Sequence, residues 1–159
     1  MLQRMIRAAK LDVDLYETVE ADRGYTGEAF TIVVVTALLS GIGLWILPGT
    51  KFWGSVVGGL VTAVVGWVIW AIITNIIGQQ LGGTSDTGEM LRVLGYASSP
   101  MALGIVPGIG HLVGGVWALV AAVVAIRQGQ DFTTGKAVGT VVIGWIVYVV
   151  ARGILGWIF

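Results

Sequence analysis

Long apolar runs separated by short polar breaks organise the whole chain. Residues 29–47 and 52–78 carry no charge at all, and residues 137–158 carry only Arg152. A helix rises about 1.5 Å per residue and a bilayer's hydrocarbon layer is about 30 Å thick, so about 20 such residues suffice to cross. Between the second and last of these runs lies 90–126, apolar but broken at Ser98-Ser99-Pro100 and again at Pro107-Gly108, with Arg92 near its start. A single helix through two prolines is implausible, which divides this stretch into spans at 90–106 and 109–126. The pattern predicts an all-α integral membrane protein: a five-helix bundle over 29–159, preceded by a cytoplasmic tail over 1–28. The rival is a re-entrant pair at 90–126 that dips in and returns, leaving three true crossings.

The tail has its own periodicity. Leu2, Met5, Ile6, Ala9, Val13 and Tyr16 recur at helical spacing, with basic residues early and acidic ones later. This predicts an amphipathic helix resting on the cytoplasmic membrane surface. The six carboxylates of the first 28 residues argue against a cleavable secretory signal.

Three copies of a small tripeptide, Thr26-Gly27-Glu28, Thr87-Gly88-Glu89 and Thr134-Gly135-Lys136, each stand just ahead of an apolar run. Their chemistry suits helix starts: Thr26, Asp86, Thr87 and Thr134 can accept from free first-turn amides, and Asp86 with Glu89 has capping-box spacing. An anion-binding nest built from the three starts is the functional alternative.

Charge then orients the bundle. Arg4, Arg7, Lys10, Arg23, Arg92, Arg127 and Lys136 share one side in the five-span arrangement, which leaves Lys51 and Arg152 for the other. The chain start is thus expected in the cytoplasm and the chain end outside. Trp45, Phe52, Trp53, Trp157 and Phe159 gather at the outer boundary, where aromatic rings favour the headgroup zone.

Composition narrows the functions. Of 159 residues, 56% are hydrophobic and 11% charged, and nine basic groups balance nine acidic ones, so nucleic acid is not an expected partner. The absence of cysteine excludes disulfides, thiolate metal sites and thiol catalysis. Abundant glycine forms small-residue stripes, Gly110, Gly114, Ala118 and Ala122 in the fourth span and Ser55, Gly59 and Ala63 in the second. These read as close packing within the bundle or as a homo-oligomeric face.

No catalytic, cofactor or metal constellation emerges. Membrane enzymes and proton-coupled carriers place ionisable groups at bilayer depth, and here every Asp and Glu falls at the cytoplasmic edge. The one histidine, His111, follows the outer turn without a second ligand or nucleophile beside it in sequence. Pro100, with Ser98 and Ser99, predicts a kink in the third span beside Gly95 and Tyr96, which serves as a hinge or simply fits the helix to its neighbours.

"VLGYASSPM", residues 93–101, is similar to the Leu-Gly-Tyr...Pro-Met signature of the Yip family of Ypt/Rab-interacting multi-span proteins. "RQGQDFTTGKAVGTVVIGWIV", "LDVDLYETVEAD" and "TGEAF" resemble its prokaryotic branch, so the likeness covers nearly the whole chain. The resemblance implies five spans, a cytoplasmic amino terminus and a prokaryotic cytoplasmic membrane. In eukaryotic members it implies binding of prenylated Rab-type GTPases and a part in vesicle traffic. Here Glu17-Thr18, rather than Gly-Pro, follows Asp14-Leu15-Tyr16, which argues against a small GTPase partner.

The expected function is therefore non-enzymatic: organising the membrane or membrane-protein partners, with lipids, other integral membrane proteins or further copies as the contacts. Two other readings remain open, a small pore or lipid/solute carrier using the kinked third span, and an accessory subunit of a large respiratory or photosynthetic complex.

Overall fold

The computed structural model describes the backbone of residues 1–158 and the side chains of residues 1–147, and all regular structure in it is helical. Seven α-helices follow one another: α1 (Leu2–Ala9), α2 (Val13–Ala21), α3 (Thr26–Trp45), α4 (Gly59–Gln80), α5 (Thr87–Ala97), α6 (Ile109–Gly129) and α7 (Thr134–Ile158). Short tight segments complete them: a 3-10 turn at Arg23–Tyr25, a π-helical turn at Trp53–Gly58 leading into α4, and a 3-10 stretch at Ser99–Ile105 between α5 and α6.

Three helical stretches are long and apolar enough to cross a membrane: Arg23–Trp45, Trp53–Gln80 and Ile109–Gly129. The apolar run of α7 is described over Thr134–Val147. The stretch expected as a third span, 90–106, is not one kinked helix. α5 stops at Ala97 because Pro100 offers no amide and because the Ser98 and Ser99 hydroxyls donate to the carbonyls of Gly95 and Tyr96, both at 2.6 Å. The chain goes on in the tighter 3-10 form, then reverses at Pro107-Gly108, where Gly108 takes a left-handed φ of +76°. The 3-10 stretch and the first half of α6 thus form the two arms of a hairpin.

Glycine lets these arms and α3 approach backbone to backbone. A Cβ at Gly114 would lie 2.8 Å from the Pro100 carbonyl oxygen, and one at Gly43 would collide with the Gly104 carbonyl. The Ser40 hydroxyl of α3 donates 2.8 Å to the Met101 carbonyl, partnering a group that the 3-10 geometry leaves available.

The tail departs from the surface-lying helix that its periodicity predicts. It forms two helices that meet at Leu11, whose φ is +63°. Asp12 caps α2 by accepting from the Leu15 amide at 3.2 Å. Leu15, Tyr16 and Val19 are then buried to within 1% exposure against α5 and α6. The Tyr16 hydroxyl donates to the Ala8 carbonyl at 3.1 Å, fixing the corner between the two tail helices. The apolar stripe of α2 therefore packs on protein rather than lipid. The hydrophobic core sits at this end of the bundle, where tail residues join Ile32, Met90, Val93, Ala125 and Ile126.

The three tripeptides all open helices: Thr26, Thr87 and Thr134 are the first residues of α3, α5 and α7. The threonines themselves are not the caps of α3 and α5. Asp86 caps α5, accepting from the Glu89 amide at 2.8 Å while the Glu89 carboxylate accepts from the Asp86 amide at 2.7 Å. The Thr87 hydroxyl instead accepts from the Asn75 side chain at 3.2 Å, and α3 starts without a side-chain cap because the 3-10 turn before it flows directly into the helix.

Candidate functional site

Two constructions stand out, a polar clamp where the tail meets the bundle and a chamber toward the opposite end. The clamp centres on Arg92, Glu28 and Tyr96. Arg92, the sixth residue of the amphipathic α5, is only 4% exposed. Its Nε donates to the Val19 carbonyl at 2.9 Å, and its guanidinium also reaches the Glu20 carbonyl. These are last-turn carbonyls of α2, where no further helical amide is available and the helix dipole favours a cation. Glu28, in the first turn of α3, accepts from Arg4 Nε at 2.7 Å and from the Tyr96 hydroxyl at 2.8 Å. That carboxylate raises the Arg4 guanidinium further above its ordinary value. α1, α3 and α5 are joined in this way, and α2 is joined to α5 beside them.

The docked tail also gathers acid. The Glu20 carboxyl is pushed up to about 7, first by partial burial and then by the charges of Asp131, Glu89 and Glu17, against which Arg92 pulls down. Burial likewise raises the Tyr16 phenol above its ordinary range. Asp12, paired with Arg7 at 2.6 Å, is held below the usual carboxylate range by that hydrogen bond.

The chamber is an open cavity of about 780 Å³ lined by α3, α4, α5 and α6, with Met101 of the 3-10 stretch and Trp145 of α7. Small side chains thin its walls, among them Gly54, Gly59, Gly66 and Gly115, while Trp67, Trp70 and Trp145 line it as well. The small-residue stripe of α4, expected to press against a neighbouring helix, mostly faces this space. Ser55 touches α3 at Gly41, but a Cβ at Gly59 would meet nothing within 4 Å, and Ala63 lines the void. On α6 the stripe divides: Gly110 and Gly114 pack on the 3-10 arm, whereas Ala118 and Ala122 line the chamber.

His111, in the first turn of α6, lines the chamber too. Both of its ring nitrogens are shielded from solvent, and neither has a hydrogen-bond partner among the described residues. Two tryptophans away from the aromatic cluster of the outer boundary have polar partners. Trp67 Nε1 donates to the Leu91 carbonyl at 3.0 Å, and Trp117 Nε1 reaches back to the Ala9 carbonyl of the tail at 2.7 Å.

Of the residues singled out from sequence, Gly95 and Tyr96 belong to the clamp: a Cβ at Gly95 would lie 2.7 Å from the Ala29 Cβ, so this glycine brings α5 against α3. Ser99 and Pro100 end α5 nearby. From sequence, Arg92 reads only as a cytoplasmic-side charge near the start of the 90–106 run, and Glu28 is not singled out as a binding group; the signal available is an arginine set inside an apolar helical run.

The described chain, helical throughout and rich in apolar spans, matches the family model described as the Yip1 domain over residues 14–156. The protein belongs to the Yip1 family. That range takes in α2 from Asp14 onward, Glu28, Arg92 and Tyr96 of the clamp, and the chamber, and with its apolar helices it makes the chain a membrane protein. Comparison with curated proteins finds no match, and comparison with solved structures finds none either.

Proposed function

We propose that this Yip1-family protein organises membrane or membrane-protein partners without catalysing a reaction, with its chain start in the cytoplasm and its chain end outside. The observation that carries the reading is the outer face of α4. Val61, Val65, Ile69, Ile72 and Ile76, continued by Val57 of the preceding π-turn, form one exposed stripe at helical spacing. Only 11% of the apolar window on this helical stretch is buried. Lipid tails cover such a face adequately, but a stripe of stiff β-branched side chains also presents a regular surface to a neighbouring span, with little rotamer entropy to lose.

The non-catalytic part of the reading rests on the polar groups that the fold holds. Arg92, Glu28 and Tyr96 are engaged in holding the tail, and no cluster of three or more metal-ligating side chains occurs among the described residues. His111 has no nucleophile or carboxylate within hydrogen-bond reach among them.

The lack of native cysteine makes the test direct. Single cysteines at Val61, Val65 and Ile72 are expected to give a discrete crosslinked product in native membranes, with a partner span or a second copy. Cysteines at Val113 and Val116 on α6 serve as the comparison. Crosslinking equal at both faces, or at neither, would remove α4 as a partner surface and the reading with it.

A further inference from the structure

The chamber and its histidine point to a ligand. We propose that the chamber seats one acyl chain of a membrane phospholipid, with an oxygen of that lipid's ester or phosphate group hydrogen-bonded to His111.

The first argument is chemical. A neutral imidazole presents one donor and one acceptor, and a protonated one presents two donors. Leaving either shielded from water without a partner costs free energy comparable to a lost hydrogen bond. None of the hydroxyls that line the cavity is bonded to His111, and three of them donate elsewhere: Ser40 to the Met101 carbonyl, Thr36 to the Ile32 carbonyl and Ser98 to the Gly95 carbonyl. The lining is mostly apolar, glycine, alanine and tryptophan with a few aliphatic side chains, and the hydroxyls of Thr36, Ser40, Ser55, Thr62 and Ser98 are its other polar groups. A ligand that satisfies both parts has an oxygen at one end and a hydrocarbon body.

The second argument is one of length. On α6 the lining runs from His111 to Ala122, which at about 1.5 Å per residue is about 16 Å. On α3 it runs from Leu44 to Val33, again about 16 Å. One leaflet's share of the hydrocarbon layer is about 15 Å. His111 stands at the end of α6 next to the Pro107-Gly108 turn, level with the end of α3 at Trp45. A lipid whose headgroup lies at that boundary therefore places its ester oxygens at the imidazole and its chain terminus near Trp67 and Trp70.

The third argument concerns access. The cavity is open rather than sealed, and α4, whose Gly59 and Gly66 line it, carries the exposed apolar stripe on its other side, so a bilayer chain reaches the cavity beside this helix. Its volume of about 780 Å³ falls in the range of ligand-binding cavities and greatly exceeds a packing defect.

Photocrosslinking tests this in vesicles of phosphatidylethanolamine and phosphatidylglycerol doped with two phospholipids, one bearing a diazirine at the chain end and the other near the ester. The chain-end probe is expected to label inward residues such as Trp67 and Trp70. The ester-proximal probe is expected to label the segment around His111. Gly59→Leu and Gly115→Leu, at positions where an added Cβ meets nothing within 4 Å, fill the chamber. Together they are expected to reduce inward labelling about tenfold while labelling of the outer stripe at Val61 and Val65 stays unchanged. His111→Leu is expected to reduce ester-proximal labelling about tenfold, with His111→Gln restoring most of it. Inward labelling that the filled chamber leaves intact, in protein that still melts cooperatively, would overturn the proposal. Suppression of labelling by free oleate at concentrations where added phospholipid has no effect would assign the site to a free fatty acid instead and equally overturn it.

Discussion

The two ends of this bundle are built from similar residues and handled in opposite ways. At the tail end, the amphipathic α2 covers α5 and α6, Tyr16 is completely buried, and a guanidinium, a carboxylate and a phenol all find partners. Toward the other end, glycines on α4 and α6 that would allow close contact border a void, and an imidazole is left without a partner among the described residues. The difference teaches that small residues permit close packing but do not cause it. Gly95, Gly114 and Gly43 meet a backbone or a Cβ; Gly59, Gly66 and Gly115 meet open space. A GxxxG-like spacing therefore marks where helices are able to approach, and a tightening contact elsewhere decides whether they do.

Substitutions that separate the two ends test this contrast. Tyr16→Ala is expected to have the largest effect, destabilising by about 3–5 kcal/mol because it empties a fully buried aromatic site and frees the Ala8 carbonyl. A fall in the melting temperature of detergent-solubilised protein, together with new proteolysis at Leu11, would register it. Arg92→Leu comes next, costing about 1–3 kcal/mol, since the last carbonyls of α2 lose their donor in a site that water does not fill. If the tail stayed fully protected in this variant, the clamp would be decorative.

Acidity sharpens the comparison further. Glu20 in the docked tail keeps its proton up to about pH 7, whereas in an undocked tail it titrates in the ordinary carboxyl range. The docked form binds the extra proton between those values. Docking is therefore strongest below the ordinary carboxyl range and weakens as pH rises through about 7. Tail proteolysis is expected to increase from pH 5 to pH 8, and Glu20→Gln is expected to flatten that dependence. The smallest effect belongs to the chamber: Gly59→Leu is expected to leave stability unchanged or raise it by about 0.5–1 kcal/mol, through helix propensity alone. A loss of more than that in thermal melts would mean that α4 is packed after all.

Much of the architecture was legible because it follows from local rules. Run length and charge-free composition locate α3, α4, α6 and the start of α7, and the proline pair at Pro100 and Pro107 marks where helix has to give way. Asp86 and Glu89 announce their capping box by spacing alone. The rest depends on which surface meets which. The stripe Leu15, Tyr16 and Val19 satisfies either a lipid interface or a protein groove, and the choice is made by Arg92 and Ala125 on helices far away in sequence. Ser55, Gly59 and Ala63 look alike in one dimension, and only the path of α4 distinguishes a contact from a wall. The role of Pro100 was legible as an interruption, but the 3-10 continuation required the carbonyl of Met101 to find Ser40.

That last stitch, with the near-collision of Gly43 and Gly104, fuses α3, the 3-10 arm and α6 into one stiff unit. α4 belongs to the least buried of the three long apolar stretches, with 11% of its window covered. A thinner or thicker bilayer would tilt this helix before it deformed the others, at fractions of a kcal/mol per ångström of mismatch. The protein's interior room is thereby tied to the thickness of the membrane around it.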